Sequence, residues 1–294
     1  MSALGRRRLL LGLSSLALAC GTRGATNRAP ATNDVERRLA ELEARTGGRL
    51  GVFAIDGATG RTVAHRPDER FAMCSTFKWL LAAAVLERAD HAKLDLAEPV
   101  RFGESDLLEY APVTRTHVAK GALSVGELVD AAVVVSDNTA ANLLLDRIGG
   151  PSALTRFARS LGDEVTRLDR KEPELNANMP GDPRDTTSPR AMALDMQKVM
   201  TAGVLSPRSR ERLAGSLVAC ETGRERLRAG LPAAWRAGDK TGTCNRSAVN
   251  DIAIAWPRGA APLVIACFTS DSEAGLATLS RLHVEVARLV SSAA

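Results

Sequence analysis

Ala237-Gly238-Asp239-Lys240-Thr241-Gly242-Thr243-Cys244, Asn250-Asp251-Ile252-Ala253-Ile254-Ala255-Trp256 and Pro262-Leu263-Val264-Ile265-Ala266-Cys267-Phe268-Thr269 follow one another near the end of the chain. Each run has the length and residue types of a strand. After them, Glu273 to Val290 has the period of a closing amphipathic helix. The start of the folded chain mirrors this arrangement. Asp34 can cap a helix through Arg45, with Val35, Leu39 and Leu42 on one face and Gly47-Gly48 as its stop. Leu50 to Ile55 and Arg61 to His65 then read as a hairpin around the turn residues Asp56-Gly57-Ala58-Thr59-Gly60. Everything between, from Phe71 to Ala219, is helical in pattern: Thr76–Ala89, Val125–Val135, Thr139–Ile148, Pro151–Leu161 and Ser188–Ala202.

Early and late strands separated by a helical block imply an α/β fold of the α+β type. One antiparallel sheet of about five strands is built from both chain ends and flanked by helices, and an all-helical domain is inserted between them. The expected division is a discontinuous α/β domain, 34–66 with 227–294, and an all-α domain, 67–226, with the site between the two.

The first residues are of another kind. Arg6, Arg7 and Arg8 precede an apolar run from Leu9 to Ala19 that ends in Ala17-Leu18-Ala19, the pattern of an export signal over 1–19. The run is shorter than the roughly 20 apolar residues of a membrane crossing. The paired arginines suit a twin-arginine signal as well as a general one. Cys20 is a candidate lipid anchor in competition with ordinary cleavage after Ala19. Residues 20–33, rich in Gly, Ala, Thr, Asn and Pro, read as a flexible tether. An exported protein meets an oxidising compartment, so Cys74, Cys220, Cys244 and Cys267 are free to pair; their spacing leaves the connectivity open.

A chain of 294 residues, 45% hydrophobic and 25% charged, has the composition of an ordinary globular enzyme. The 39 Lys and Arg against 34 Asp and Glu are spread along the chain. Without a basic stripe, nucleic-acid binding is excluded. The four histidines lack ligand spacing with each other or with the cysteines, so no metal site is suggested and zinc chemistry is disfavoured.

Three short motifs carry chemistry. In Ser75-Thr76-Phe77-Lys78, at the start of an apolar helix, the lysine lies one turn from the serine, and first-turn N–H groups can hold an oxyanion. A helix-capping serine beside a solvated lysine explains that motif equally well. Ser136-Asp137-Asn138 lies between two helices, where N-capping explains all three residue types. Lys240-Thr241-Gly242 lies in a strand, where a glycine lets a ligand approach the backbone and a lysine can protect a sheet edge.

Taken together and in this order, the three resemble the signature of class A serine β-lactamases, within the superfamily of penicillin-binding proteins. The likeness extends to Tyr110-Ala111-Pro112-Val113-Thr114, to Arg170-Lys171-Glu172-Pro173-Glu174-Leu175-Asn176 and to Arg184-Asp185-Thr186-Thr187, and so from Asp34 to the C-terminus.

The resemblance implies that Ser75 attacks the lactam carbonyl and Ser136 relays a proton to the departing nitrogen. Lys78 and Glu172 share the base role: either one activates Ser75 for acylation, whereas Glu172, with a water held by Asn176, drives deacylation. The oxyanion would sit between the N–H groups of Ser75 and Thr243. Asn138, Lys240, Thr241, Gly242 and Thr243 would bind substrate, with Arg226 supporting recognition of its carboxylate and Tyr110 at the mouth. Some family members place that arginine after the Lys-Thr-Gly strand, where this chain has Val249. Arg226 also reads as a surface residue of the run Arg224 to Arg228, and Tyr110 as half-buried packing.

Residues 170–185 form the family's omega loop, with Arg170 and Asp185 at its ends and Glu172-Pro173 as a candidate cis bond. If the Lys-Thr-Gly strand faces the Ser75 helix, as in the family, Cys74 and Cys244 meet in a disulfide, a pair that resembles carbapenem-hydrolysing members. Cys220 and Cys267 are read as small buried hydrophobes. No cofactor is implied; the expected partner is a small β-lactam, bound by a monomer. Two other activities share the nucleophile motifs: a D-alanyl-D-alanine carboxypeptidase and a non-catalytic β-lactam sensor. Glu172 and Asn176 argue against the carboxypeptidase, whereas a sensor predicts one equivalent of bound drug without sustained turnover.

Overall fold

The structure is a computed structural model that describes residues 32–293. The expected export signal, Cys20 and the expected tether up to Ala31 lie outside the described residues. In chain order the elements are α1 (Thr32–Thr46), β1 (Arg49–Asp56), β2 (Thr62–His65), β3 (Phe71–Ala72), α2 (Phe77–Asp90), β4 (Pro99–Arg101), α3 (Thr114–His117), β5 (Ala122–Ser124), α4 (Val125–Val134), α5 (Asn138–Ile148) and α6 (Pro151–Ser160). They continue with β6 (Thr186–Thr187), α7 (Pro189–Thr201), α8 (Pro207–Val218), α9 (Leu227–Gly230), β7 (Arg236–Cys244), β8 (Ala248–Trp256), β9 (Leu263–Ser270) and α10 (Leu276–Ser291).

The main sheet has five antiparallel strands in the order β2-β1-β9-β8-β7. The two chain ends meet where β1 pairs with β9, Gly51 opposite Phe268. Every residue of β9, and all of β8 but Trp256, is buried. Such continuous apolar runs require cover on both faces. On one face Val35, Leu39 and Leu42 of α1 pack with Leu282, Val286 and Val290 of α10 over Val52 and Ile265. On the other, Phe53, Ile252 and Phe268 join a larger core built on α2, α4, α5 and α7.

Three features depart from the sequence reading. Helix α1 starts at Thr32, so its first residues lie in the stretch read as tether, and Asp34 sits in the first turn instead of capping it. There its carboxylate favours the positive helix end and pairs with Arg37 at 2.5 Å. Helix α8, like the four-residue α3 and α9, had no place among the expected helices. Only Leu213, Ala214 and Leu217 supply its buried apolar side, although Ser206 before Pro207 was a readable start signal, and the Ser206 hydroxyl accepts from Ser209 N. The two-residue pairing of β3 with β6 and the three-residue pairing of β4 with β5 are too short to leave a periodic pattern.

Candidate active site

Helix α2 fixes the position of Ser75. Ten consecutive residues from Phe77 to Leu86 are buried, so the helix is apolar all round and runs through the middle of the helical layer. Ser75 lies in the short turn Cys74–Thr76 that leads into it. Lys78, one helical turn on, is fully buried. Its Nζ donates to Ser136 O at 2.7 Å, to Ser136 Oγ at 3.3 Å and to Asn138 Oδ1, and lies 3.3 Å from Glu172 Oε1. Burial pushes the Lys78 ammonium below the ordinary lysine range, and the Glu172 charge opposes that shift.

The Ser136-Asp137-Asn138 triplet divides its labour. Asp137 is the N-cap of α5, accepting from Ala140 N at 2.8 Å, and it also accepts from the N–H groups of Val113 and Thr114 at 2.9 Å. Capping therefore accounts for one residue of the three. Ser136 stands at φ 63°, a region a serine occupies only when its surroundings insist. Asp137 N bonded to Ala131 O and Asn138 N bonded to Tyr110 O hold the bend in place.

Glu172 reaches the site from the omega loop and is 2% exposed. Ser75 Oγ donates to its Oε1 at 3.3 Å, and Asn176 Nδ2 donates to its Oε2 at 2.5 Å. Asn142 clamps its backbone, receiving Glu172 N at 3.0 Å and donating to Glu172 O at 2.8 Å. The Glu172–Pro173 peptide is cis. Arg170 and Asp185 do meet, and the pair is not a solvated one. Asp185 is fully buried and accepts from Arg170 Nε at 2.5 Å and from the N–H groups of Asp169 and Arg170 at 2.8 and 2.9 Å.

The far wall is β7, the edge strand of the sheet. Alternation puts Lys240, Gly242 and Cys244 on one side of it. Lys240 Nζ donates to Ser136 Oγ at 3.0 Å, and Cys244 is bonded to Cys74 with Cα atoms 5.7 Å apart. Burial, with Lys78 close by, brings Lys240 down to about 8. A side chain on Gly242 would begin 2.7 Å from Met73 O and 3.1 Å from Ser75 N. The glycine therefore admits the backbone of the Ser75 turn itself, a closer neighbour than the ligand its strand position suggested.

Thr241 and Thr243 point the other way. Thr241 Oγ1 lies 2.6 Å from Thr222 Oγ1, and Thr243 Oγ1 accepts from Arg226 Nη2 at 2.7 Å. Arg226 is 7% exposed and so is not a surface residue; its Nη1 also donates to Gly242 O at 3.1 Å and Asn250 O at 2.7 Å. Beneath it, Asp239 and Asp251 are buried, and burial holds both carboxyls above their usual range. Asp239 is paired with Arg228 at 2.5 Å.

Ser75, Tyr110, Ser136, Asn138, Asn176, Arg226 and Thr241 to Thr243 line one cavity of about 330 Å³. Lys78, Glu172 and Lys240 sit just behind its wall. Tyr110, half exposed, stands at the rim instead of packing inward. Cys220 and Cys267 are buried free thiols. Among the described residues no group of three or more His, Cys, Asp or Glu is arranged to hold a metal ion.

Three supporting residues escaped the sequence reading. Asn142 lies four residues after Asn138 on α5, a spacing that places both on one helix face. Asn250 interrupts an apolar strand; it is fully buried and donates to Ala72 O at 2.8 Å, tying β8 to the segment before Ser75. Thr222 had no local signal.

Known proteins match the chain along most of its length. The model of the beta-lactamase enzyme family matches residues 34–293. Beta-lactamase AST-1 of Nocardia asteroides is 46% identical, over 98% of this chain and 96% of that protein. A protein of Klebsiella oxytoca described as carbapenem-hydrolyzing beta-lactamase KPC is 45% identical, over 86% of this chain and 89% of its own. Among solved structures, an ancestral (GNCA) class A beta-lactamase shares 55% identity at a TM-score of 0.85, covering 87% of this chain and 98% of its own. Family, fold and the converging serine, lysine and glutamate agree, so the chain belongs to the beta-lactamase enzyme family as a class A serine β-lactamase, a hydrolase that opens β-lactam rings and confers resistance to these antibiotics.

Proposed function

We propose that Ser75 forms the acyl-enzyme with penicillins and cephalosporins and that Glu172 drives its hydrolysis. The observation that carries this reading is the 3.3 Å approach of Ser75 Oγ to Glu172 Oε1, with Lys78 Nζ 3.3 Å from the same oxygen. A hydroxyl needs a base to become a nucleophile; of the two candidates Glu172 touches it directly, and Lys78 Nζ reaches the same carboxylate oxygen. Burial lowers the cost of deprotonating Lys78, which suits it to take and return the Ser75 proton. Ser136, between the ammonium groups of Lys78 and Lys240, is the group that passes a proton to the departing lactam nitrogen. The N–H groups of Ser75 and Thr243 receive the oxyanion.

Once the ester has formed, Glu172 accepts the proton of the attacking water, which Asn176 helps to orient. Lys240, Thr241 and Thr243 bind the substrate carboxylate, with Arg226 fixing the Thr243 hydroxyl and Asn138 and Tyr110 bordering the rest of the substrate. The lobes 34–66 with 227–294 and 67–226 close on this cavity. Export through the signal over 1–19, by the general or the twin-arginine route, delivers a monomer to the periplasm or the medium; Cys20 is its candidate lipid site. Rapid mixing with a chromogenic cephalosporin, quenching and peptide mass spectrometry test the nucleophile. One acyl adduct on the Ser75 peptide is expected, and an adduct on any other residue overturns the assignment.

A second reading extends the substrates to carbapenems. The Cys74–Cys244 bridge and the likeness to a relative described as carbapenem-hydrolyzing favour it. The bridge joins the residue before the nucleophile to the residue after Thr243, and so holds the two proposed oxyanion donors together. Sustained imipenem hydrolysis beside ampicillin is the expected result. A single equivalent of bound imipenem without turnover removes this reading.

A further inference from the structure

Three side chains stand in line from the cavity wall inward. Cys220 Sγ is 3.3 Å from Thr222 Oγ1, and Thr222 Oγ1 is 2.6 Å from Thr241 Oγ1. Thr222 and Thr241 both line the cavity, whereas Cys220 is 1% exposed. Each member of the line has one hydrogen to give. Cys220 remains a thiol, because burial and the nearby Asp239 raise it above the ordinary cysteine range. Either atom can donate across the Cys220–Thr222 contact, and we take S–H donating to the Thr222 oxygen, the better acceptor of the two. The Thr222 hydrogen is then directed to Thr241 Oγ1. Thr241 has no other hydroxyl contact among the described residues, and its own hydrogen is left to point into the cavity.

We propose that Thr222 is a positioning residue for the substrate carboxylate: the line Cys220, Thr222, Thr241 orients the Thr241 hydroxyl as a donor toward that anion. The inference rests on the reading that Lys240, Thr241 and Thr243 bind the carboxylate. Its physical content is directional. A hydroxyl free to rotate offers an anion its hydrogen only part of the time, and without Thr222 no neighbouring side chain fixes the rotation of the Thr241 hydroxyl. A line of donors that all point one way removes that alternative before substrate arrives, and each bond strengthens the next.

The test uses a cephalosporin with a free ring carboxylate and its methyl ester, assayed with the parent enzyme and with Thr222→Val, Thr222→Ser and Thr241→Val. Valine keeps the shape of threonine and removes the hydroxyl. For Thr222→Val, kcat/KM on the free acid is expected to fall about 3- to 10-fold, the effect of one lost hydrogen bond, with kcat within about twofold of the parent. The ester should be unaffected, and Thr222→Ser should restore the acid. A Thr222→Val enzyme that matches the parent on the acid, or loses equally on acid and ester, overturns the proposal. Thr241→Val separates the two levels of the argument. If it loses selectively on the acid while Thr222→Val does not, the carboxylate site stands and the orienting line falls. If it treats acid and ester alike, the carboxylate reading fails and takes the line with it.

Discussion

Glu172→Gln is expected to slow steady-state hydrolysis about 1,000-fold, in the middle of the range for removal of a general base, while the protein still acylates. Glutamine keeps the size of the side chain, its contact with Asn176 and the backbone clamp by Asn142, so the omega loop stays in place. The change at Lys78 decides which step fails. The Glu172 charge is the largest influence holding the Lys78 ammonium up against burial, and its loss lets the lysine fall further toward the neutral amine. A neutral Lys78 can still take the Ser75 proton. Water attacking the ester has no remaining base. A rapid burst of about one equivalent followed by near-arrest should appear in stopped-flow traces, with a persistent adduct in the intact mass. Unchanged turnover refutes the role of Glu172 in deacylation, and loss of the burst together with turnover makes Glu172 the base for acylation too.

Asp185→Ala should cost about 3 kcal/mol of stability, the lower end of the range for removing one partner of a buried ion pair. The lower end is appropriate because the Arg170 side chain keeps 20% of its exposure and lies 3.8 Å from Asp182. The substitution also orphans the N–H groups of Asp169 and Arg170. For a chain of this size, whose unfolding entropy is about 2.1 cal/mol/K per residue, the melting midpoint is expected to drop by about 5 °C. Activity suffers as well, because the loop carries Glu172 and Asp185 O accepts from Met73 N, two residues before Ser75. Asp185→Asn, which keeps an acceptor for the two N–H groups, should lie between parent and alanine. Calorimetry of the three proteins checks the order, and an alanine variant melting within about 1 °C of the parent would show that the clamp contributes little.

Much of the architecture was legible because burial leaves a period. The β1–β2 hairpin, the three late strands and α2, α4, α5, α6 and α7 were all placed from their apolar spacing and end signals. Helix α8 was missed for the same reason, since few of its residues are apolar and buried. Short spacing alone, as in Ser75 with Lys78 or Lys240 with Gly242, left each motif open to a structural explanation, and the site was legible through the resemblance of the three motifs in their order to class A β-lactamases. It was not legible where a residue works through a distant partner. Nothing near Arg226 indicated whether it faces water or the underside of β7, and nothing near Asp185 indicated that it is buried.

Taken alone, the amino-acid order determined which segments become strands and helices, that the sheet draws on both chain ends, and which three motifs belong to one chemistry. The first two are consequences of local sterics and of apolar side chains leaving water, both written at intervals of two to four residues, whereas the three motifs were joined by their resemblance to class A β-lactamases. The tertiary structure alone decided that Thr222 meets Thr241 across 19 positions, that Asn142 holds Glu172 across 30, and that Asn250 reaches Ala72 across 178. Such contacts follow from strand register and helix packing, which the whole core sets at once, so no single stretch of chain carries their signal.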